Sequence, residues 1–299
     1  MPSLIYSLAP LVINSTTLAT QGLQLSPEVA LDAFRHSGNE FASVLVAPGA
    51  APRIRFSTPF KAAFDLIGLK VLKVTTLGVY LAKFVDALRL TGSARSYSLN
   101  GAAVGFAYIT GASVAQQGIL MADVEIILLS IDGTTHPLSV SDAGTLPTLA
   151  SQPALHTLGG TTINGTTIAG VESVTIDLGP QIEARVTDGA LYPTVCSYLG
   201  GAPMLMGEHA DPVTLLTTLG LLGVAASSNI VQYFREYNAS TGLTGTTGLS
   251  LTIAAGKIVP EAQSADNLAM AKTGFRVQPL SSTSTHPFVI ATGASVPSP

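Results

Sequence analysis

Charge is scarce in this 299-residue chain: Asp, Glu, Lys and Arg together supply 11% of it, where soluble domains carry about a quarter. Tryptophan is absent, aromatic residues amount to 6%, and there is one cysteine. Each shortage excludes something. Cys196 alone permits no disulfide within the chain and reads as a small buried hydrophobe rather than a nucleophile. With a formal net charge of −4, the chain lacks the basic stripe of a nucleic-acid grip and the polybasic patch of a membrane binder. The longest apolar run, Val213 to Ala226, carries three Thr and falls short of the ~20 residues that span a bilayer. The start, MPSLIYSLAPLVINSTT, has no basic n-region, so no secretory signal is expected. No repeat with a period of 20 to 50 residues is visible, which argues against a solenoid or propeller.

Catalytic devices are equally scarce. There is no G-x-S-x-G elbow, P-loop or dinucleotide fingerprint. The histidines, His36, His136, His156, His209 and His286, show no metal-ligand spacing. Glu208-His209-Ala210-Asp211 is the one local group of possible ligands, and Asp211 is already explained as a helix cap. Asp177 with Glu183 is a conceivable glycosidase pair, but strand-face acids are usually solvated, and without Trp there is no large aromatic platform for sugar rings. The expectation is no enzyme, no metal and no cofactor.

What is present favours strands. The hydrophobic fraction is 47% and mean hydropathy is +0.46, supplied by small and β-branched residues. A surface so poor in charge is colloidally weak as a free monomer, and burial against other copies is the simplest remedy. From Gly170 to Tyr198, Val174, Ile176 and Leu178 alternate with polar residues; Gly179-Pro180 breaks the run; Ile182, Ala184 and Val186 alternate again. This predicts a hairpin whose polar face points away from its own core. Residues 1–50 are expected as an arm, or an edge strand with a loop. Arg53–Ser57 is a strand with Ile54 and Phe56 inward. Thr58 caps a short helix, FKAAFDLIGL, burying Phe60, Ala63, Phe64 and Ile67. Asn100-Gly101 signals a second hairpin, and VEIILLSI at 124–131 a strand buried on both faces. Ala143–Val171, free of charge, reads as an extended loop, docked on a neighbour or mobile. Asp211-Pro212 opens the best helix, with Leu215, Leu216, Leu219 and Leu222 inward. VQYFREY, Leu249–Ile253, Phe275–Val277 and HPFVIA complete the strands.

The order of these motifs resembles the major tail tube protein of long-tailed bacteriophages. The resemblance is carried by GVESVTIDLGPQIEARVTDGALYPTV, TPFKAAFDLIGL, the Asn100-Gly101 turn before VEIILLSIDG, Tyr198 to Gly223, VQYFREYNASTG and SLTIAAGKIVPEAQSADNLAMAKTGFRV. It covers most of residues 53 to 292. It implies a mainly β domain over 51–299, a β-sandwich or half-open barrel of two antiparallel sheets with two or three short flanking helices. Six copies close into a hexameric ring around a continuous inner β-barrel, and rings stack into a virion tail tube that carries DNA outward. The implied partners are further copies of the chain, the tail-tip, terminator and tape-measure proteins, and passing DNA, with no membrane. A conduit should not grip its cargo, so Glu172, Asp177, Glu183 and Asp188 are candidate channel-lining acids; the other reading is that they face outer solvent. Alternatives are another ring-forming virion protein, such as a connector or capsid-decorating protein, or a β-rich carbohydrate binder or hydrolase.

Overall fold

The computed structural model describes residues 4–34, 44–85, 88–149, 154–168, 170–187, 189–226, 229–237, 244–266, 269–281 and 285–297. Strands take up 64% and helices 6%, a mainly β chain of several antiparallel sheets. The first half runs β1 (Leu4–Leu8), β2 (Leu11–Ile13), β3 (Thr16–Leu18), β4 (Gln21–Ser26), β5 (Val29–Phe34), β6 (Val44–Ala50), β7 (Arg53–Pro59), α1 (Phe60–Ile67), β8 (Val71–Val74), β9 (Leu77–Val85), β10 (Leu88–Leu99), β11 (Val104–Ala115), β12 (Met121–Leu129) and β13 (Leu138–Thr145). The second runs β14 (His156–Ile163), β15 (Thr166–Ile168), β16 (Val171–Asp177), β17 (Pro180–Arg185), β18 (Val195–Gly201), β19 (Met204–His209), α2 (Pro212–Leu219), β20 (Val224–Ala225), β21 (Ile230–Tyr237), β22 (Thr244–Ile253), β23 (Gly256–Asp266), β24 (Ala269–Pro279) and β25 (Phe288–Ser295).

The two halves repeat one plan. In the first, β4 pairs β7, β7 pairs β12, β12 pairs β11 and β11 pairs β8. In the second, β16 pairs β19, β19 pairs β24, β24 pairs β23 and β23 pairs β20. The smaller sheets match in the same way: β2–β3, β9–β10 and β10–β13 are answered by β14–β15, β21–β22 and β22–β25. The hairpin β5–β6 is answered by β17–β18. Local chemistry recurs too. Asn14 and Ser15 sit at φ 46° and 69°, Asn164 and Gly165 at 49° and 83°, the positive values a two-residue hairpin turn requires. Asn14 Nδ2 donates to the Lys73 carbonyl at 2.9 Å, and Asn164 Nδ2 to the Ala225 carbonyl at 3.2 Å. His136 Nδ1 accepts from Leu138 N, and His286 Nδ1 from Phe288 N, at 3.0 and 3.2 Å.

A ten-stranded sheet in the order β20-β23-β24-β19-β16-β11-β12-β7-β4, with β8 also on β11, runs through both halves. The seam is β11–β16, where Gly111 to Ala115 face Asp177 to Ser173. β11 is long enough to pair β8 with its first half and β16 with its second. One face of the long sheet is apolar. Ile54, Ile126, Ile176, Leu205 and Val277 from it share one buried cluster with Leu11, Ile13 and Val79 of the first small sheet and Phe234, Leu249 and Phe288 of the second. Phe60, Ala63 and Ile67 of α1 and Leu215 and Leu219 of α2 close the same cluster.

Several local expectations are corrected. The Asn100-Gly101 turn forms no hairpin: β10 pairs β9 and β13, while β11 pairs β8, β12 and β16. The turn instead carries the chain between layers, so the apolar sides of the flanking strands meet across the core. β16 and β17 are likewise unpaired with each other, because Gly179-Pro180 sends β17 off to pair β18. Residues 1–50, expected as an arm or an edge strand with a loop, hold β1 to β6: β4 is an edge strand of the long sheet, paired to β7, and β1 and β2 pair with β9. Much of 143–171, expected as a loop, is β13, β14 and β15. Thr58 does not cap α1; its hydroxyl donates to the Ala19 carbonyl at 2.7 Å, and Pro59 holds the cap position. Asp211 does cap α2, accepting from Val213 N and Thr214 N. Leu222 lies past the end of α2 and is 82% exposed rather than inward.

Candidate functional site

Pleating turns every second residue of the long sheet away from the core, and that opposite face is where the charges gather. β7 contributes Arg53, Arg55 and Ser57, paired across to Ile127, Glu125 and Asp123 of β12. β16 contributes Ser173, Thr175 and Asp177, opposite Glu208, Met206 and Met204 of β19. Met206 in turn faces Arg276 of β24. Polar residues recur on this face from β7 to β23, interrupted by Met204 and Met206 and, toward one end of β11 and β12, by an apolar cluster of Tyr108, Ile127 and Leu129 under the β17–β18 hairpin.

Four of the face's cations have carboxylate partners. Glu125 is buried and accepts from Tyr108 Oη at 2.7 Å, Arg53 Nη1 at 2.5 Å and Arg55 Nε at 2.9 Å. Both arginines also pair with Glu28 at 2.9 Å. Burial alone would raise the Glu125 carboxyl, but the hydrogen bonds from Tyr108, Arg55 and Arg53 outweigh it and hold it below the usual carboxylate range. Burial pushes the Tyr108 hydroxyl up, and its bond to Glu125 pushes it further. Lys272 Nζ lies 2.5 Å from Glu172 Oε2, and this partner raises the ammonium. Arg276 Nε lies 3.7 Å from Glu261 Oε1. Asp123, which accepts from Ser57 Oγ at 2.6 Å, joins Asp177 and Glu208 as carboxylates with no ion pair among the described residues. Lys73 of β8 and Lys257 of β23 stand on the same face, across from Phe106 and Gln278, so acids and bases on it are nearly balanced.

The sequence-derived candidates fall in three places. Glu172 and Asp177 stand on this face at opposite ends of β16, Glu172 carried there by the register shift between Val171 and Ser173. Asp177 Oδ1 accepts from Gly179 N at 2.8 Å and shapes the exit of the strand. Glu183 is on β17, in a separate two-stranded sheet, where Arg185 Nη2 at 2.9 Å holds its carboxyl below the usual range. Asp188 lies outside the described residues. Asp177 and Glu183 thus do not face each other across a hairpin. Glu208 is on the polar face and His209 is fully buried, so that group does not converge either. Among the described residues no cluster of three His, Cys, Asp or Glu is placed to hold a metal, and no helix is long and apolar enough to cross a membrane.

Sequence reasoning missed Glu125, Glu208 and the arginines beside them. It also missed the duplication. Its signal was present at a spacing of 150 residues: SLAPLVINSTTL at 7–18 against TLGGTTINGTTI at 157–168, and THPL at 135–138 against THPF at 285–288. No protein-family model matches the chain, and no curated protein matches it.

Proposed function

We propose that this chain is a self-assembling structural subunit of a phage tail tube, with the polar face of its long sheet as channel wall. The observation that carries the reading is the unbroken sheet through two equivalent units, with charged and polar residues along one face and four of its cations, Arg53, Arg55, Lys272 and Arg276, paired with carboxylates. Carboxylate partners on Arg53, Arg55, Lys272 and Arg276 weaken the grip such a wall has on phosphates. A conduit needs that property, and the resemblance in motif order points the same way. Glu172 and Asp177 are kept as lining residues, joined by Asp123, Glu208 and Glu261. A ring of six β units, the number implied by the resemblance, takes three chains when each chain supplies two. The tail of the virion is the proposed location, with the tail-tip, terminator and tape-measure proteins as partners and no catalysis. Negative-stain images of the purified protein test this. Rings or hollow fibres of uniform width with an open centre are expected; a monodisperse single chain at high concentration refutes it.

A further inference from the structure

We infer that copies of this chain join head to tail by repeating, between molecules, the seam that joins the two units within one molecule: β4 of one copy adds to the second half of β23 of the next. The inference rests on the self-assembly reading above and specifies its interface.

Register on the long sheet sets the equivalences. Ile54 faces Leu25 on one side and Ile126 on the other; Leu205 faces Ile176 and Val277. Leu25 is therefore the counterpart of Ile176. Leu280, three places past Val277, is the counterpart of Leu129, three places past Ile126. By the same frame Ser264, opposite Lys272, corresponds to Ser113, opposite Met121. Both strands shift register just before these residues, at Ile109/Gly111 and at Pro260/Gln263. Inside the chain Ser113 faces Thr175, whose counterpart on β4 is Gln24, since Thr175 faces Met206 and Gln24 faces Arg55. The repeated seam sets Ser264 of one copy opposite Gln24 of the next.

Burial shows what the two outer edges lack. Ile176, inside the seam, is 1% exposed, and Leu25 at the free edge is 36% exposed. Leu129 is 3% exposed in a second apolar cluster to which Ile182, Ala184 and Cys196 of the β17–β18 hairpin contribute, whereas Leu280 is 67% exposed. Val29, the counterpart of Ile182 counted from Pro27 and Pro180, is 46% exposed. Among the described residues β4 pairs only with β7, and Gln263 to Asp266 only with β24. β4, QGLQLS, carries neither the charges nor the Pro that usually guard a free edge. A neighbour's matching edge supplies both the main-chain partners and the apolar cover. Because the two edges differ, the contact is heterologous, and it builds a ring or an open filament according to whether the rotation closes.

The test uses the full chain with Cys196→Ala, Gln24→Cys and Ser264→Cys, assembled, oxidised and run on a non-reducing gel. Directly opposed residues on antiparallel strands lie within disulfide reach. The expected result is a ladder at multiples of the 30.6 kDa chain, lost when either cysteine is omitted. A Ser113→Cys, Thr175→Cys chain closes within one molecule and reports that the internal seam is native. Moving the first cysteine from Gln24 to Leu25 turns it to the core side of the sheet and should abolish most of the ladder. Rings or fibres that form without the Gln24–Ser264 link overturn this interface and leave the self-assembly reading standing. A ladder without closed rings supports the interface and overturns the ring. Chains that stay single, with the internal control closed, overturn both.

Discussion

Glu125→Gln probes the most buried charge on the proposed channel wall. The side chain of Glu125 is 9% exposed and takes hydrogen bonds from Tyr108, Arg53 and Arg55. A hydrogen bond to a charged group contributes about 1.5–3 kcal/mol. The arginines keep Glu28 as partner, and their side chains are 27% and 44% exposed, so their share shrinks toward the ~0–1 kcal/mol of a solvated pair. Glutamine also keeps one carbonyl oxygen for Tyr108. The net cost should be about 2 kcal/mol at pH 7, or about 3 °C in melting temperature for a chain of this size. The pH dependence follows from the depressed carboxyl. A group with its folded pKa below its unfolded one stabilises fully above the unfolded value, and that contribution is lost as pH falls through the folded value. The gap between parent and variant should therefore be full at neutral pH and close as pH drops below the ordinary carboxylate value of 4.5. Calorimetric scans from pH 7 down to pH 3 measure it, with Leu25→Asp in both proteins so that assembly adds no stabilisation of its own. Equal melting at pH 7, or a gap that persists undiminished at pH 3, would refute the account of this cluster.

Asp123→Lys with Glu208→Lys should give the wall a clear basic excess. Assembled variant tubes should then retain linear duplex DNA at low salt, with a log–log salt slope of about −0.9 per phosphate neutralised; retention no better than the parent's would remove the wall from that face. Gly248→Ala should destabilise strongly, because a Cβ there would lie 1.8 Å from the Phe234 carbonyl oxygen; overpacking of this kind typically costs about 1–3 kcal/mol, and an unchanged melting temperature would contradict it. Burial pushes the Cys196 thiol up, so alkylation at pH 7 should be slow in the native protein and accelerate on unfolding, as mass spectrometry can follow.

Elements whose signal is local were legible in the sequence. Asp211-Pro212 wrote its own helix cap, and Ile54, Phe56, Leu249, Leu251 and Ile253 alternate into the core because each is flanked by polar or small residues. Pairing was not legible, because alternation says which side of a strand is apolar and nothing about its neighbour. Asn100-Gly101 illustrates the limit. The turn chemistry is right, with Gly101 at φ 58°, yet a turn of the same shape serves to change layers as well as to close a hairpin. The candidate site was half legible for the same reason. Glu172 and Asp177 lie within a clean alternating run, whereas Glu125 sits in an otherwise apolar one, VEIILLSI, and acquires its role only when β7 brings Arg53 and Arg55 alongside. The 150-residue repeat escaped a search confined to short periods.

The scarcity of charge looks different once it is mapped. The chain has 14 Lys and Arg and 18 Asp and Glu, and about a third of them, Arg53, Arg55, Lys73, Asp123, Glu125, Glu172, Asp177, Glu208, Lys257, Glu261, Lys272 and Arg276, stand on or beside one face of the long sheet. The edges and flanks are correspondingly depleted: β4 has no charged residue, and neither does the run from Ala143 to Val171. A solitary protein gains nothing by leaving a flat, uncharged strand edge open to pairing. A subunit whose wall meets water and whose edges meet copies of itself needs that distribution. Duplication adds a further consequence. The internal seam forms between segments of one chain, where effective concentration favours it at any dilution, while the outer seam requires a second molecule. Ile176 and Leu129 are fully buried within the one chain, and on the proposed interface their exposed counterparts Leu25 and Leu280 would set the concentration at which copies assemble.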